Sequence, residues 1–426
     1  MIGARPPGPR GLAVWRAVRA FQKSPLPALE QLTAEHGDAV CLSLPWSRTY
    51  VFAHPSLVHH VLLRGSQNYR KSEGTRAGRR FFGESMQLTN GERAKAMRRR
   101  LAPLFTADRL VTAYADLIVE ETEACVGRWT PASHVNLTEN LHDLLLQIMV
   151  RVHFGTKGED TRRLGALYAT AIDLLPDGVS GFIQRGKRKN YDEAVAQLDA
   201  AILSRAAEQR RNDRGENDFA SEFLRLGVPE QQLRHELVSM MAASYRTVGM
   251  ALVQTLRLLA ETPSADAKVA EEAAVARARV PAMSSLPYTG RVVKESLRLC
   301  PPAGLMMRFA TVDDTVGPWR VPAGSRVLVS SWLLQRDRRY FDQPLEFRPE
   351  RWTTEFERAL PACAYFPFGA GPRNCIGGIL SDVTLRLILT TIARRFRLEA
   401  PIIPPERTAW PLFMADGGLR ATLQVR

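Results

Sequence analysis

The sequence predicts a mainly α protein: one large helical domain with a small β-sheet region built from N-terminal and C-terminal segments. Three observations predict it. The stretch from Pro55 to Ala260 reads helical almost throughout, and Leu233–Glu261 is its longest periodic segment. At about 1.5 Å per residue that segment would run roughly 40 Å, enough to cross the middle of a globular domain. Short apolar segments bounded by turn residues stand on both sides of this helical middle, so the strands that pair must come from distant parts of the chain.

In chain order, residues 1–25 open with Arg5-Pro6-Pro7-Gly8-Pro9 and read as an irregular, proline-rich lead, because proline fixes φ and lacks the N–H donor. A single domain is expected over 26–426. Helical spacing begins at Leu26–His36. Val40–Leu44 and Tyr50–Ala53 read as two strands around Pro45-Trp46-Ser47-Arg48, giving a β-rich part at about 39–53. Ala102-Pro103, Pro131, Pro176-Asp177-Gly178 and Gly215 are the expected breaks of the helical middle. A second β-rich part at about 303–347 contains strands at Thr311–Val316, Trp319–Val321 and Ser325–Ser330. No repeat of 20–50 residues is visible.

The 426 residues are 45% apolar and 24% charged, which is ordinary globular composition and excludes disorder and fibrous repeats. Lys plus Arg is 58 against 44 acids, a net charge of +14 that favours an acidic partner. The excess of Arg over Lys and the abundance of Ala fit a GC-rich bacterial genome. Five cysteines without a close pair give no disulfide framework and point to a reducing cytoplasm. The start lacks a signal-peptide core, and no run of about 20 apolar residues suggests a membrane span.

Motifs for several chemistries are missing. There is no phosphate-binding G-x-x-x-x-G-K-[ST], no H-E-x-x-H and no G-x-S-x-G, and Gly369-Ala370-Gly371 lacks the third glycine of a dinucleotide loop. Basic residues join no nucleic-acid reading motif. The informative segment is Phe366-Pro367-Phe368-Gly369-Ala370-Gly371-Pro372-Arg373-Asn374-Cys375-Ile376-Gly377-Gly378, followed by a helical run to about Arg395. A cysteine just before a helix sits where N–H groups and the positive helix end stabilise a thiolate. Arg373 adds a cation suited to a carboxylate, Phe368 can cover the sulfur, and Gly371 and Gly377 permit close approach. Two readings follow: a shielded iron ligand, or a structural cysteine beside a turn.

The pattern Phe368-x-x-Gly371-x-Arg373-x-Cys375-x-Gly377 resembles the heme-binding loop of the cytochrome P-450 family. Glu295-Ser296-Leu297-Arg298 resembles that family's E-x-x-R helix, and Phe347-Arg348-Pro349-Glu350-Arg351-Trp352 its P-E-R-F/W segment. The resemblance extends over nearly the whole chain and implies a cytochrome P-450-like fold. It implies heme b (iron protoporphyrin IX) with Cys375 as axial thiolate, and a buried ion network of Glu295, Arg298 and Arg351 beneath the loop. Arg98, in a W/H-x-x-x-R pattern, and Arg308 would join Arg373 in neutralising two heme carboxylates. Ala94 replaces the usual Trp or His, and Gln335 replaces the His of H-R-D.

The family's central helix usually carries A-G-x-[DE]-T, whose acid and alcohol deliver protons during dioxygen activation. Aligned on Ala242-Ala243, the acid becomes Tyr245 and the alcohol Arg246, with Ser244 and Thr247 nearby. The expected function is monooxygenase-type oxidation of an apolar small molecule in bacterial specialised metabolism. Tyr245-Arg246 suggests an alternative, a heme-thiolate catalyst that does not activate dioxygen but uses peroxide or cleaves an O–O or N–O bond. In both, Arg246 could bind a substrate anion or turn away into an ion pair. A non-catalytic heme sensor or electron carrier is a second alternative. By resemblance, the substrate would meet Phe81, Phe82, Met86, Phe182, Met240, Ala243, Leu305, Met306 and Phe413, and Arg76, Arg79, Arg80 and Arg246 would suit an anionic group. Electrons would come from a separate ferredoxin and reductase, with Lys95, Arg99, Arg100 and Arg394-Arg395 as a basic docking patch. A monomer is expected.

Overall fold

The computed structural model describes residues 4–72, 74, 76–130, 134–175, 185–211, 217–399, 408–409, 414–415 and 419–426. It is mainly α with small sheets, as the sequence predicts. Four helices, Ala107–Val126, Leu137–Phe154, Glu230–Glu261 and Gly378–Ala393, pack on one another at its centre. The central helix Glu230–Glu261 contains no proline between Pro229 at its start and Pro263 beyond its end, so 32 residues run uninterrupted. Gly378–Ala393 is apolar on nearly all sides: Leu380, Val383, Leu385 and every residue from Leu387 to Ala393 are buried, as befits a helix inside the core.

The main sheet has five strands in the order Ala39–Leu44, Ser47–Phe52, Arg326–Val329, Met306–Ala310, Tyr69–Arg70. Ser47–Phe52 pairs in parallel with Arg326–Val329, joining the two ends of the chain, and the other pairings are antiparallel. A second sheet pairs Arg420–Val425 with both Phe396–Glu399 and His134–Asn136.

Three expectations need correction. The lead at 1–25 is irregular only in its proline-rich start, because Leu12–Lys23 is a helix. Val14, Ala17, Val18 and Phe21 recur at i, i+3, i+4 and i+7, and Ala17 and Phe21 pack against the cluster of Leu29, Val40 and Val51. Met306–Ala310 is a strand that the β-branched pattern did not single out, since Met-Met-Arg-Phe-Ala has no β-branched residue. The β-rich part ends at Val329; Ser331–Gln335 is helical, started by the Ser330 side chain accepting from the Leu333 N–H. Of the expected helix breaks, Ala102-Pro103 falls in a 3₁₀ turn, Ala102–Phe105. Pro131, Pro176-Asp177-Gly178 and Gly215 lie outside the described residues.

Candidate active site

The loop 366–377 is held by its own backbone. The Cys375 N–H donates to Phe368 O at 2.7 Å, closing the loop around the cysteine. Gly369 and Gly371 have φ of 73° and 72°, and a Cβ at Gly371 would collide with the Leu62 carbonyl oxygen. The Cys375 sulfur opens onto a cavity of about 720 Å³. Its depth in the protein raises the thiol above its ordinary value, opposed by the Gly377 N–H and the charges of Arg98 and Lys71. Cys41, Cys125 and Cys363 are buried, and Cys300 lies 3.9 Å from the Arg257 guanidinium. Among the described residues, Cys375 is the one cysteine in the cavity wall.

Beneath the loop, Glu295 and Arg298 are both fully buried and paired through two bonds, from Arg298 Nε at 2.8 Å and from its terminal nitrogen at 2.9 Å. Arg351 Nε, the Arg348 N–H and Trp352 Nε1 each donate to the same carboxylate at 2.9 Å. Gln335 couples this network to the loop: its amide donates to Leu297 O and Arg298 O at 3.0 and 3.1 Å, while its oxygen accepts from the Phe366 N–H at 2.9 Å. The glutamine in place of histidine thus supplies donors and an acceptor at one buried position.

Three elements bring cations to the cavity, the helix and the strand each by its own period. In helix Gly91–Leu101, Gly91, Ala94, Lys95 and Arg98 share one face at i, i+3, i+4 and i+7. In strand Met306–Ala310, Met306 and Arg308 face inward while Met307 is 39% exposed. The loop supplies Arg373, whose guanidinium reaches Thr89 O at 3.2 Å, and Arg98 donates to Asn374 O at 2.8 Å. Lys71, a residue that sequence reasoning missed, completes the group. Its backbone is paired with the Asn90 side chain at 3.0 and 3.2 Å, next to the start of the Arg98 helix. Nothing in its surroundings in the sequence separates Lys71 from the solvated cations beside it.

These cations crowd one another. Burial, with Arg308, Arg373 and Arg98 nearby, pushes Lys71 down to about 8. Burial and Arg373 push Arg308 down to about 10. No aspartate or glutamate lines the cavity among the described residues, and none of its wall forms a cluster of three metal-ligating side chains. Four unneutralised cations and one sulfur suit a planar metal complex that carries carboxylates and takes a single protein ligand.

The central helix corrects the expected register. Met240, Ala243, Ser244, Thr247, Val248 and Ala251 line the cavity. Tyr245 and Arg246 fall on the other side. Tyr245 packs edge-on against Tyr168 at 5.8 Å, and Arg246 Nε donates to its hydroxyl at 2.7 Å. Arg246 also pairs with Asp173. The motif therefore fits one residue later, Ala243-Ser244-Tyr245-Arg246-Thr247. Thr247 takes the alcohol position and Arg246 the acid position. Thr247 Oγ1 donates to Ala243 O at 2.5 Å, and Ser244 Oγ to Met241 O at 3.1 Å.

Of the expected substrate contacts, Met86, Met240, Ala243 and Met306 are in the wall. Phe81, Phe82 and Leu305 are not. Phe81 is fully buried between Phe82 and Tyr168, and Leu305 sits in the cluster with Leu29 and Leu328. These are core residues, which apolar periodicity alone cannot tell from pocket residues. Phe182 and Phe413 lie outside the described residues, as does the side chain of Arg76. Arg80 is paired with Asp199. Sequence reasoning missed Phe105, Met149, His153 and Phe219, which come to the wall from the turn Ala102–Phe105, the helix Leu137–Phe154 and the helix Phe219–Arg225. His153 is fully buried, hydrogen-bonded to Met149 O at 2.7 Å, and burial pushes it down to about 4, so it is neutral.

The helical fold, the sulfur at a helix start and the buried carboxylate–guanidinium network together define a heme-thiolate oxidoreductase. The chain belongs to the cytochrome P450 family, whose model matches residues 6–415. The cofactor of that family is heme b on a cysteine thiolate. The chain is 30% identical to cyclooctat-9-en-7-ol 5-monooxygenase from Streptomyces melanosporofaciens, over 91% of this chain and 86% of that one. It is 29% identical to cyclooctatin synthase from the same organism, over 92% and 89%. It is also 25% identical to pentalenene oxygenase from Streptomyces avermitilis, over 93% and 91%. Among the described residues, no helix is long and apolar enough to cross a membrane.

Proposed function

We propose that this chain is a monooxygenase that inserts oxygen into a largely hydrocarbon alkene or alkenol, with Cys375 as the heme ligand. The observation that carries it is the Cys375 sulfur on a cavity whose wall has five cations, of which only Lys95 is paired with an acid, and no acid of its own among the described residues. Arg98, Arg308, Arg373 and Lys71 would hold the two heme carboxylates, with Phe368 and Gly371 shaping the loop around the sulfur. When bound, the heme supplies the activation of dioxygen, and the electron-rich thiolate favours heterolytic O–O cleavage.

The chain's own residues do the rest. Met86, Met240, Ala243 and Met306 offer an apolar surface that orients the substrate and excludes water. Thr247 keeps its hydroxyl proton directed to the Ala243 carbonyl, which leaves Oγ1 able to accept a proton donor at the cavity wall. The names of the relatives describe oxygenases of an alkene and an alkenol, which supports dioxygen over peroxide or N–O cleavage. With Arg246 and Arg80 both paired to acids, an anionic substrate group has less support than an apolar one. The reading includes a cytoplasmic enzyme, monomeric, reduced by a separate ferredoxin and reductase.

The test uses the heme-loaded protein with cyclic alkenes, NADPH, ferredoxin, reductase and isotope-labelled dioxygen. One labelled oxygen per product is expected, along with the red-shifted ferrous–CO band, and Cys375→Ser should abolish both. Product formed without reductant or dioxygen would overturn the reading.

A further inference from the structure

The segment 84–89 forms the wall between the central helix and the cationic end of the cavity: Met86, Gln87 and Leu88 all line it. It is not a regular element, yet it is gripped along its length by one face of the central helix. Gln232 donates to Glu84 O at 3.1 Å, and His235 Nδ1 accepts from the Glu84 N–H at 3.2 Å. Ser85 Oγ donates to Ser239 Oγ at 3.0 Å, and Gln87 donates to Ser239 O at 3.2 Å. The centre of this grip is Glu236, which is fully buried. Both its oxygens accept from the Met86 N–H, at 2.9 and 3.2 Å, and one accepts from Gln232 at 2.6 Å. The far end of the segment is tied to the heme loop, since Thr89 O accepts from Arg373.

A buried carboxylate facing one backbone N–H and one amide is an expensive device. Nothing in the oxygenase chemistry uses it. We infer that Glu236 is a positioning residue: its carboxylate holds Met86 against the central helix and so sets the substrate-facing wall of the cavity. The inference deepens the oxygenase reading and rests on it, since it names what fixes the shape of that site.

The carboxylate is also poised to change state. Burial raises it to about 7, against the lowering effects of Gln232, the Met86 N–H and Arg93. The groups around it are few. Gln232 and His235 flank it on its own helix, where burial and Arg234 hold His235 low. Arg234 points away, to Asp199 and Phe81 O. Glu84 of the gripped segment is paired with Arg93 from helix Gly91–Leu101. Arg80, on the neighbouring helix Arg76–Phe82, is paired with Asp199. Because the closed packing is what raises its pKa, ionisation favours the opened segment, where water reaches the carboxylate; the grip is firmest below about 7 and loosens above it.

The stability effect runs the same way. An acid whose folded pKa is raised stabilises the fold fully below its unfolded pKa, and that contribution is lost as pH rises through about 7. A residue serving only overall stability would move exchange throughout the central helix; a positioning role confines the pH dependence to the segment 84–89 and to ligands that touch the wall.

The experiment is amide hydrogen exchange of the heme-loaded protein, read on the peptide 84–89 at pH 6 and pH 8 and normalised to intrinsic exchange rates. In the wild type, protection should be about tenfold higher at pH 6 than at pH 8, the linkage expected of a carboxylate raised to about 7 in the closed segment and lower in the open one. Glu236→Gln should lose that pH dependence. At pH 6 Glu236→Ala, which leaves the Met86 N–H without its acceptor, should bind the bulky azole clotrimazole about tenfold more weakly while Glu236→Gln keeps wild-type affinity, and carbon monoxide, which does not reach the wall, should bind each reduced protein unchanged. Wild-type protection that is equal at both pH values, or that is higher at pH 8, overturns the inference. So does a Glu236→Ala protein with wild-type azole affinity at pH 6. A missing ferrous–CO band in the wild type would instead defeat the heme reading and leave the exchange result standing on its own.

Discussion

Replacing Glu295 by Ala removes the acceptor shared by five N–H groups: two of Arg298, one of Arg351, the Arg348 backbone and the Trp352 indole. Leaving a buried donor unmet costs about 1–3 kcal/mol each, so an unrelaxed site would lose roughly 5–15 kcal/mol. The actual loss is smaller, because Arg298 keeps the carbonyls of Gln335, Pro344 and Glu346, and Arg351 keeps that of Asp342. What remains is two buried guanidiniums with no counter-charge, worth about 3–5 kcal/mol. That is a large part of a typical total of about 5–15 kcal/mol. The assay is urea unfolding of the apoprotein, followed by tryptophan fluorescence, together with the heme-to-protein absorbance ratio of the loaded form. Glu357→Ala is the control. It removes an exposed partner of Lys294, and such pairs contribute under about 1 kcal/mol. Glu295→Ala should lose several times more stability than the control and retain less heme, because Gln335 links the network to Phe366. Equal losses in the two variants, with heme uptake intact, would refute the claim that this carboxylate supports the cysteine loop.

Two further outcomes follow from the charges around the cavity. Lys71 has a folded pKa lowered to about 8, so in the apoprotein its charge opposes folding below pH 8, and that cost fades as pH rises towards the unfolded value. Heme carboxylates would reverse this by favouring the charged amine, so heme affinity should fall by up to about tenfold per pH unit above 8, measured by competition for hemin. Lys71→Met should remove that slope, and an unchanged slope would exclude Lys71 from the carboxylate site. Arg246→Ala should leave the Soret shift produced by palmitate unaltered and cost under about 1 kcal/mol, because its partner Asp173 is 63% exposed. Loss of the palmitate response would return Arg246 to the cavity.

The sequence makes some parts of this site legible and hides others, for physical reasons. A sulfur beside glycines at a helix start is readable because each residue there answers a local constraint: Gly371 has a positive φ and no room for a Cβ. The Glu295–Arg298 pair is readable as an i,i+3 spacing, but its value depends on complete burial, which spacing does not encode. Arg98 and Arg308 are legible only through resemblance to the family. Lys71 is illegible, since its role comes from the fold bringing residues 71, 98, 308 and 373 to one wall. Phe81 and Leu305 are expected in the pocket only by resemblance to the family, and their pattern cannot correct this, because an apolar side chain facing a core and one facing a cavity obey the same periodicity. The helix Leu12–Lys23 was hidden by the prolines before it.

The central helix shows how one residue of register changes an inferred mechanism. A shift of one position turns a side chain by about 100° around the helix. Aligned on Ala242-Ala243, the motif lacks both acid and alcohol and puts an arginine at the alcohol position. The wall fixes the register independently: positions 240, 243, 244, 247, 248 and 251 form one continuous face, and this face includes Thr247. The alcohol is therefore retained and only the acid is replaced. Its replacement, Arg246, has a carboxylate partner on another helix, Gly158–Asp173, so the local pair is neutral although the central helix carries the positive member. The residue that suggests a catalyst without dioxygen activation belongs to an ion pair beside the site, and the Ser244 and Thr247 hydroxyls remain in the cavity wall.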